Sequence, residues 1–127
     1  MRQPKLKKCV KEAWVKALRS GKYKQARGRL RNQRGGYCCL GVLCDLSQKE
    51  LNISWRKCGF NERQFHFGGA FGTLPASVQK WAFTAKSYAY CDISNPVSKR
   101  EDTKLSNLND HLKLTFRQIA KIIERDF

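Results

Sequence analysis

Between Tyr37 and Leu46 the chain reads Tyr-Cys-Cys-Leu-Gly-Val-Leu-Cys-Asp-Leu, a run whose apolar side chains would point in nearly every direction around a helix. Such an element has no face to offer water, so the rest of the chain must fold around it. We therefore place a buried central helix here. Cys38, Cys39 and Cys44 suit the position, because small thiols pack like small hydrophobes and let neighbouring elements approach. Asp45 is the odd member. It must point outward at the helix end or find a charged or hydrogen-bonding partner, since a buried, unpaired carboxylate would cost on the order of several kcal/mol.

The flanking segments carry clearer periodicities. Pro4 suits a first helical turn, and Leu6, Val10, Ala13, Trp14, Ala17 and Leu18 recur at three- and four-residue spacing until Ser20-Gly21 ends the pattern. From Lys22 to Arg34, Arg27, Arg29 and Arg31 alternate with Gly28 and Leu30. A period of two predicts three guanidinium groups on one face of a strand. Arg34-Gly35-Gly36 then turns the chain.

Ile53, Trp55, Phe65 and Phe67, punctuated by glycines at 59, 68, 69 and 72, predict a hairpin. Leu74-Pro75 opens a helix with Val78, Trp81 and Ala82 inward, and Tyr88 and Tyr90 alternate again before the Asn95-Pro96 turn. Ser98 to Lys104 reads as an exposed loop, and Leu105, Leu108 and Leu112 mark a short helix. Thr115 with Gln118 has the form of a capping box ahead of Phe116, Ile119, Ala120 and Ile123. The predicted fold is α+β. One domain spanning 1–127 carries three to five helices around the central one, with a small antiparallel sheet from the arginine strand and the segments near Ile53, Phe65 and Tyr88.

Charge is distributed very unevenly. Thirteen of the 26 Lys and Arg residues fall in the first 37 positions against one acid, Glu12, leaving +12 there and +4 over the other 90 residues. Solubility needs a modest net charge and is indifferent to its position, so the asymmetry marks one end of the molecule as a surface for a polyanion. The candidate contact residues are Lys5, Lys8, Lys11, Lys22, Lys24, Arg27, Arg29, Arg31 and Arg34. Planar guanidinium forks give phosphates two parallel hydrogen bonds, and each neutralised phosphate releases counterions. Tyr23 and Tyr37 flank the arginines and could stack on unpaired bases, or seal an edge of the core. No helix-turn-helix, RNP-type aromatic motif or zinc-finger spacing stands out, so base reading is not indicated.

Other chemistries find less support. The apolar runs are too short to cross a bilayer, and Lys7, Lys8, Lys11 and Glu12 interrupt any signal-peptide core, which points to the cytoplasm. Reduced thiols fit that compartment better than disulfides. Cys38, Cys39, Cys44, Cys58, Cys91, His66 and His111 lack the paired arms that structural zinc draws on, so no metal or other cofactor is expected. A cysteine nucleophile paired with His66 or His111 needs an exposed thiolate, and Asp45 and Asp110 lack the companions of a nuclease site, so the expectation is a non-enzymatic protein.

The shared landmarks are Trp14 with Leu18, Ser20-Gly21-Lys22-Tyr23-Lys24-Gln25, Tyr37 through Leu46, Leu74-Pro75 with Val78 and Trp81, Leu108-Asn109-Asp110, and Phe116 with Ile119-Ala120 and Ile123-Glu124. In these the chain resembles a family of small proteins encoded by bacteriophages and prophages. The resemblance covers most of the chain and implies a phage origin and an infected or lysogenic bacterial host. It carries no catalytic residue across, and the load of Lys and Arg departs from that family's ordinary charge balance. Two functions are expected from the basic surface: binding DNA or RNA through the phosphate backbone, or docking on an acidic host protein as an inhibitor in host takeover or anti-defence.

Overall fold

The computed structural model describes residues 5–57, 64–84 and 93–127. Pro4, Cys58, Gly59, Tyr88, Tyr90 and Cys91, to which the sequence assigns a helix start, thiols, a turn and a strand, lie outside the described residues. Helices α1 (Lys8–Arg19), α2 (Cys39–Leu51), α3 (Ala76–Ala82), α4 (Leu105–Asp110) and α5 (Phe116–Asp126) form, with two short strand pairs, an α+β fold.

Helix α2 is the centre the sequence requires. Cys39, Leu40, Gly41, Val42, Leu43 and Cys44 are all buried, and the helix is packed by α1, α3 and α4. Cys38 caps its start, the thiol sulfur accepting the Gly41 N–H at 3.4 Å. Asn52 ends it in the left-handed region at φ 53°, a conformation Asn tolerates better than most residues. Helix α1 turns Val10, Trp14, Val15 and Leu18 inward and packs most extensively against α5. The Trp14 indole reaches α2 and donates to the Cys39 carbonyl at 2.9 Å, so its polar atom is satisfied inside the core. The Thr115–Gln118 capping box opens α5, with both reciprocal hydrogen bonds formed.

The strands depart from expectation. Trp55–Lys57 (β3) pairs antiparallel with Phe65–Phe67 (β4), as a hairpin reading requires. The arginine segment does not form the predicted strand. Lys24–Gln25 (β1) pairs in parallel with Gly36–Tyr37 (β2), and Arg31 makes one antiparallel bridge to Tyr37, so among the described residues two separate strand pairs stand in place of a single antiparallel sheet. Two things break the alternation. Gly28 adopts φ +86°, which bends the chain where a strand would continue, and Leu30 is fully buried against α2. Burial of one Leu is worth roughly 1.5–3 kcal/mol, more than a short edge strand with no sheet beside it can offer.

Candidate nucleic-acid interface

The loop from Arg27 to Gly35 is seated by its backbone. The Leu30 N–H donates to the Phe71 carbonyl at 2.7 Å, and the Leu30 carbonyl accepts the Cys38 N–H at 3.2 Å. That carbonyl lies over Gly41, where a Cβ would stand 1.7 Å from the oxygen, so only glycine in α2 lets the loop approach this closely. The Asn32 side chain closes the turn by accepting the N–H groups of Arg34 at 3.0 Å and Gly36 at 2.7 Å. Arg27, Arg29 and Arg34 are left exposed around a hydrogen-bonded loop rather than aligned on a strand face.

Arg31 has a different environment from its neighbours. It is half-buried, with its guanidinium carbon 4.1 Å from the centroid of Phe65, 5.5 Å from Tyr37 and 5.7 Å from Trp55. Contacts of this type contribute about 0.5–2 kcal/mol each, depending on desolvation. Lys57 Nζ lies 5.7 Å from the same Phe65 ring. The β3–β4 register explains the convergence: Lys57 faces Phe65 and Trp55 faces Phe67 across the pair, so these four side chains share one face, and Arg56 and His66 take the other.

Trp55 and Phe67 on this face continue a ladder of aromatic edges. Tyr23, Tyr37, Trp55 and Phe67 meet successively at 5.2, 5.8 and 5.0 Å, each pair edge-to-face. Asp45 anchors the ladder, accepting from Tyr23 Oη at 2.5 Å, Gln48 Nε2 at 2.8 Å and Trp55 Nε1 at 2.9 Å. The carboxylate that the sequence left in need of a partner thus finds three donors. Burial, and then the bond to Asp45, push the Tyr23 phenol well above its usual range and keep it a donor at neutral pH. Tyr23 and Tyr37 are half-buried, their rings in contact with each other.

The remaining predicted cations lie on other elements. Lys22, just before β1, and Lys24, within it, are exposed. Lys5 is exposed just before α1, its carbonyl accepting the Thr84 N–H at 2.9 Å. Lys8 and Lys11 stand with Lys16 and Arg19 along a groove of about 660 Å³, whose acidic lining is Glu12 and Glu124. Arg19 is ion-paired with Glu124, and Lys11 Nζ donates to the Phe127 carbonyl at 2.9 Å. The helix cations are thus partly committed within the protein. By contrast, Lys22, Lys24, Arg27, Arg29, Arg31 and Arg34 have no carboxylate partner among the described residues.

The thiols and histidines are placed less favourably for chemistry. Burial pushes the Cys38 thiol up to about 12 and those of Cys39 and Cys44 well above their usual value, so none is a thiolate at neutral pH. His66 Nδ1 accepts the Gly69 N–H at 3.2 Å in the turn after β4, and His111 is exposed after α4. Asn109, fully buried, links α4 to the β1 segment by accepting from Gln25 and donating to the Ala26 carbonyl, each at 2.8 Å. Among the described residues no three His, Cys, Asp or Glu side chains cluster as a metal ion would require. No helix among them is long and apolar enough to cross a membrane.

One family model, described as a domain of unknown function, matches residues 6–127. The chain belongs to that family, DUF8296. The match takes in the five helices and two strand pairs of the described residues, so the arginine loop and the aromatic face lie inside the family's domain. No curated protein and no solved structure matches the chain.

Sequence reasoning missed Trp55 and Phe65 as neighbours of Arg31, and Lys57 as a second cation on the Phe65 ring. The available signal was the adjacent Arg-Lys pair in a strand predicted to pair with one bearing Phe65 and Phe67. Which face of that hairpin meets the loop is set by the seat of Leu30, 11 residues before Gly41 in the chain, and no local pattern encodes it.

Proposed function

We propose that the protein binds nucleic acid without catalysing a reaction, its Lys22–Arg34 segment gripping the phosphate backbone. The observation that carries this reading is the contrast between committed and uncommitted charge. Asp45 and Asp126 are saturated by internal donors, whereas six cations between Lys22 and Arg34 have no acidic partner among the described residues. A loop seated by backbone hydrogen bonds and presenting exposed guanidinium groups suits phosphate oxygens, because little backbone order must be gained on binding. The resemblance to phage and prophage proteins supports a role in the cytoplasm of a bacterial host, where the protein would regulate, protect or block access to DNA or RNA.

The test is fluorescence anisotropy with labelled single-stranded and duplex DNA across a salt series. If about six cations meet phosphates, duplex affinity falls as roughly the fifth power of salt. The triple variant Arg27→Ala, Arg29→Ala, Arg34→Ala should bind more weakly and with a shallower slope, by about 0.9 for each duplex phosphate left without its cation. It should keep its thermal midpoint, since these side chains are exposed. Unchanged binding by the triple variant would sink the assignment to this loop. Retention of one host protein from lysate after nuclease treatment, with no binding to either DNA, would replace this reading with that of an inhibitor docking through the same cations.

A further inference from the structure

Building on the nucleic-acid reading, we infer that Arg31, which shares the Phe65 ring with Lys57, is the anchor for one phosphodiester group of the bound strand. Arg31 Nη and Lys57 Nζ are the contacting atoms.

Three observations carry this. First, two cations share one ring: the Arg31 guanidinium carbon lies 4.1 Å and Lys57 Nζ 5.7 Å from the Phe65 centroid, so the two charges stand within about 10 Å of each other. Like charges brought together repel unless an anion stands with them. Among the described residues neither has a carboxylate partner, and nearby Asp45 is already taken by Tyr23, Gln48 and Trp55. Second, aromatic faces hold Arg31 without using its donors. The guanidinium makes no hydrogen bond among the described residues, and Nε is its only buried nitrogen without a partner, so the two Nη groups reach solvent. A guanidinium positioned by rings keeps the planar fork that matches two oxygens of a phosphate. Third, the site is built on ordered elements. Arg31 follows Leu30, whose backbone is bonded to Phe71 and Cys38, and Lys57 sits directly opposite Phe65 in the β3–β4 register. An anion between the two cations would remove their repulsion, and Arg31, already packed against Phe65, would need little fresh ordering.

Anchor and loop then have separate roles. Arg27, Arg29 and Arg34 supply diffuse attraction, and Arg31 with Lys57 fixes where the backbone crosses the protein. Lys57 lies outside the basic segment that the sequence singles out, so its participation is what distinguishes this site from the loop alone.

The experiment compares the wild type with Arg31→Lys and Lys57→Gln, each bound to a short fluorescein-labelled oligothymidylate and to a labelled mixed-sequence duplex across a salt series. Thermal midpoints are recorded for every protein. Arg31→Lys keeps the charge and loses the fork, so it should weaken binding about tenfold with little change in salt slope. Lys57→Gln leaves one phosphate without its cation, so it should lower the slope by roughly 0.7 on single strand or 0.9 on duplex and weaken binding several-fold. Wild-type affinity in either folded variant overturns the anchor but leaves the nucleic-acid reading intact. If Arg31→Lys fails to fold, the exposed Lys57→Gln variant decides alone. Failure of the wild type to bind either probe overturns the nucleic-acid reading and the anchor with it.

Discussion

Trp55 donates its indole N–H to the Asp45 carboxylate at 2.9 Å, which joins the β3–β4 pair to the middle of the central helix. Tyr23 and Gln48 donate to the same group. Asp45→Asn would replace one oxygen by an amide that donates, facing it toward donors and leaving at least one of them without an acceptor. It should lose about 1–3 kcal/mol of stability. Urea unfolding would show this as a lower midpoint at an unchanged slope, and a midpoint equal to the wild type's would mean that the carboxylate's bonds are replaced by water at no cost.

Gly41→Ala tests the seat of the arginine loop. The added methyl would stand 1.7 Å from the Leu30 carbonyl oxygen and 2.6 Å from its carbon, and both are backbone atoms that no side-chain rotation can move. A loss of about 3 kcal/mol or more is expected by urea unfolding, in the range of severe overpacking. Because the loop would be displaced with Leu30, oligonucleotide affinity should also fall in whatever fraction remains folded. Near-normal stability would show that the loop can lift away from α2 cheaply.

The cysteines divide by burial. Cys9 is exposed, whereas Cys38, Cys39 and Cys44 are buried and desolvation raises their thiols far above neutral pH. With maleimide at pH 7, peptide mapping should find Cys9 modified rapidly and those three modified only after denaturation. Rapid labelling of Cys38 or Cys39 under native conditions would contradict their place in the core.

Asp126 gives the molecule an acid-sensitive tie. Arg125 holds its carboxyl, by hydrogen bonds to both oxygens, down from its ordinary 3.8 to about 2, and the Arg100 and Lys99 backbone N–H groups add to the effect. A depressed carboxyl pKa stabilises the fold above the unfolded value and loses that contribution as pH falls through the folded one. Roughly 2 kcal/mol should therefore be present above pH ~4 and lost by pH ~2. In Asp126→Asn the pH dependence of the urea midpoint over that window should be flatter than in the wild type. An identical profile would place the acid transition on other carboxyls.

Periodicity and capping in the sequence were enough to place the helices. The spacing of Val10, Trp14 and Leu18, the all-round apolar run of α2 and the Thr115–Gln118 box depend on residues within a turn or two of one another and form as read, whereas Leu6, expected in α1, bridges Phe83 instead and Leu112, expected in α4, lies exposed beyond its end. The sequence alone also set the charge asymmetry and required a partner for Asp45. Only the tertiary structure decided what that partner is, and that the alternation of Arg27, Arg29 and Arg31 yields a loop. Strand periodicity needs a neighbouring strand to have any consequence, and here burial of Leu30 over Gly41 outweighs it. The pairing of Arg31 with Lys57 on Phe65 is likewise a product of long-range packing. It joins a loop before α2 to a strand pair after it, and no local pattern in either segment specifies the contact.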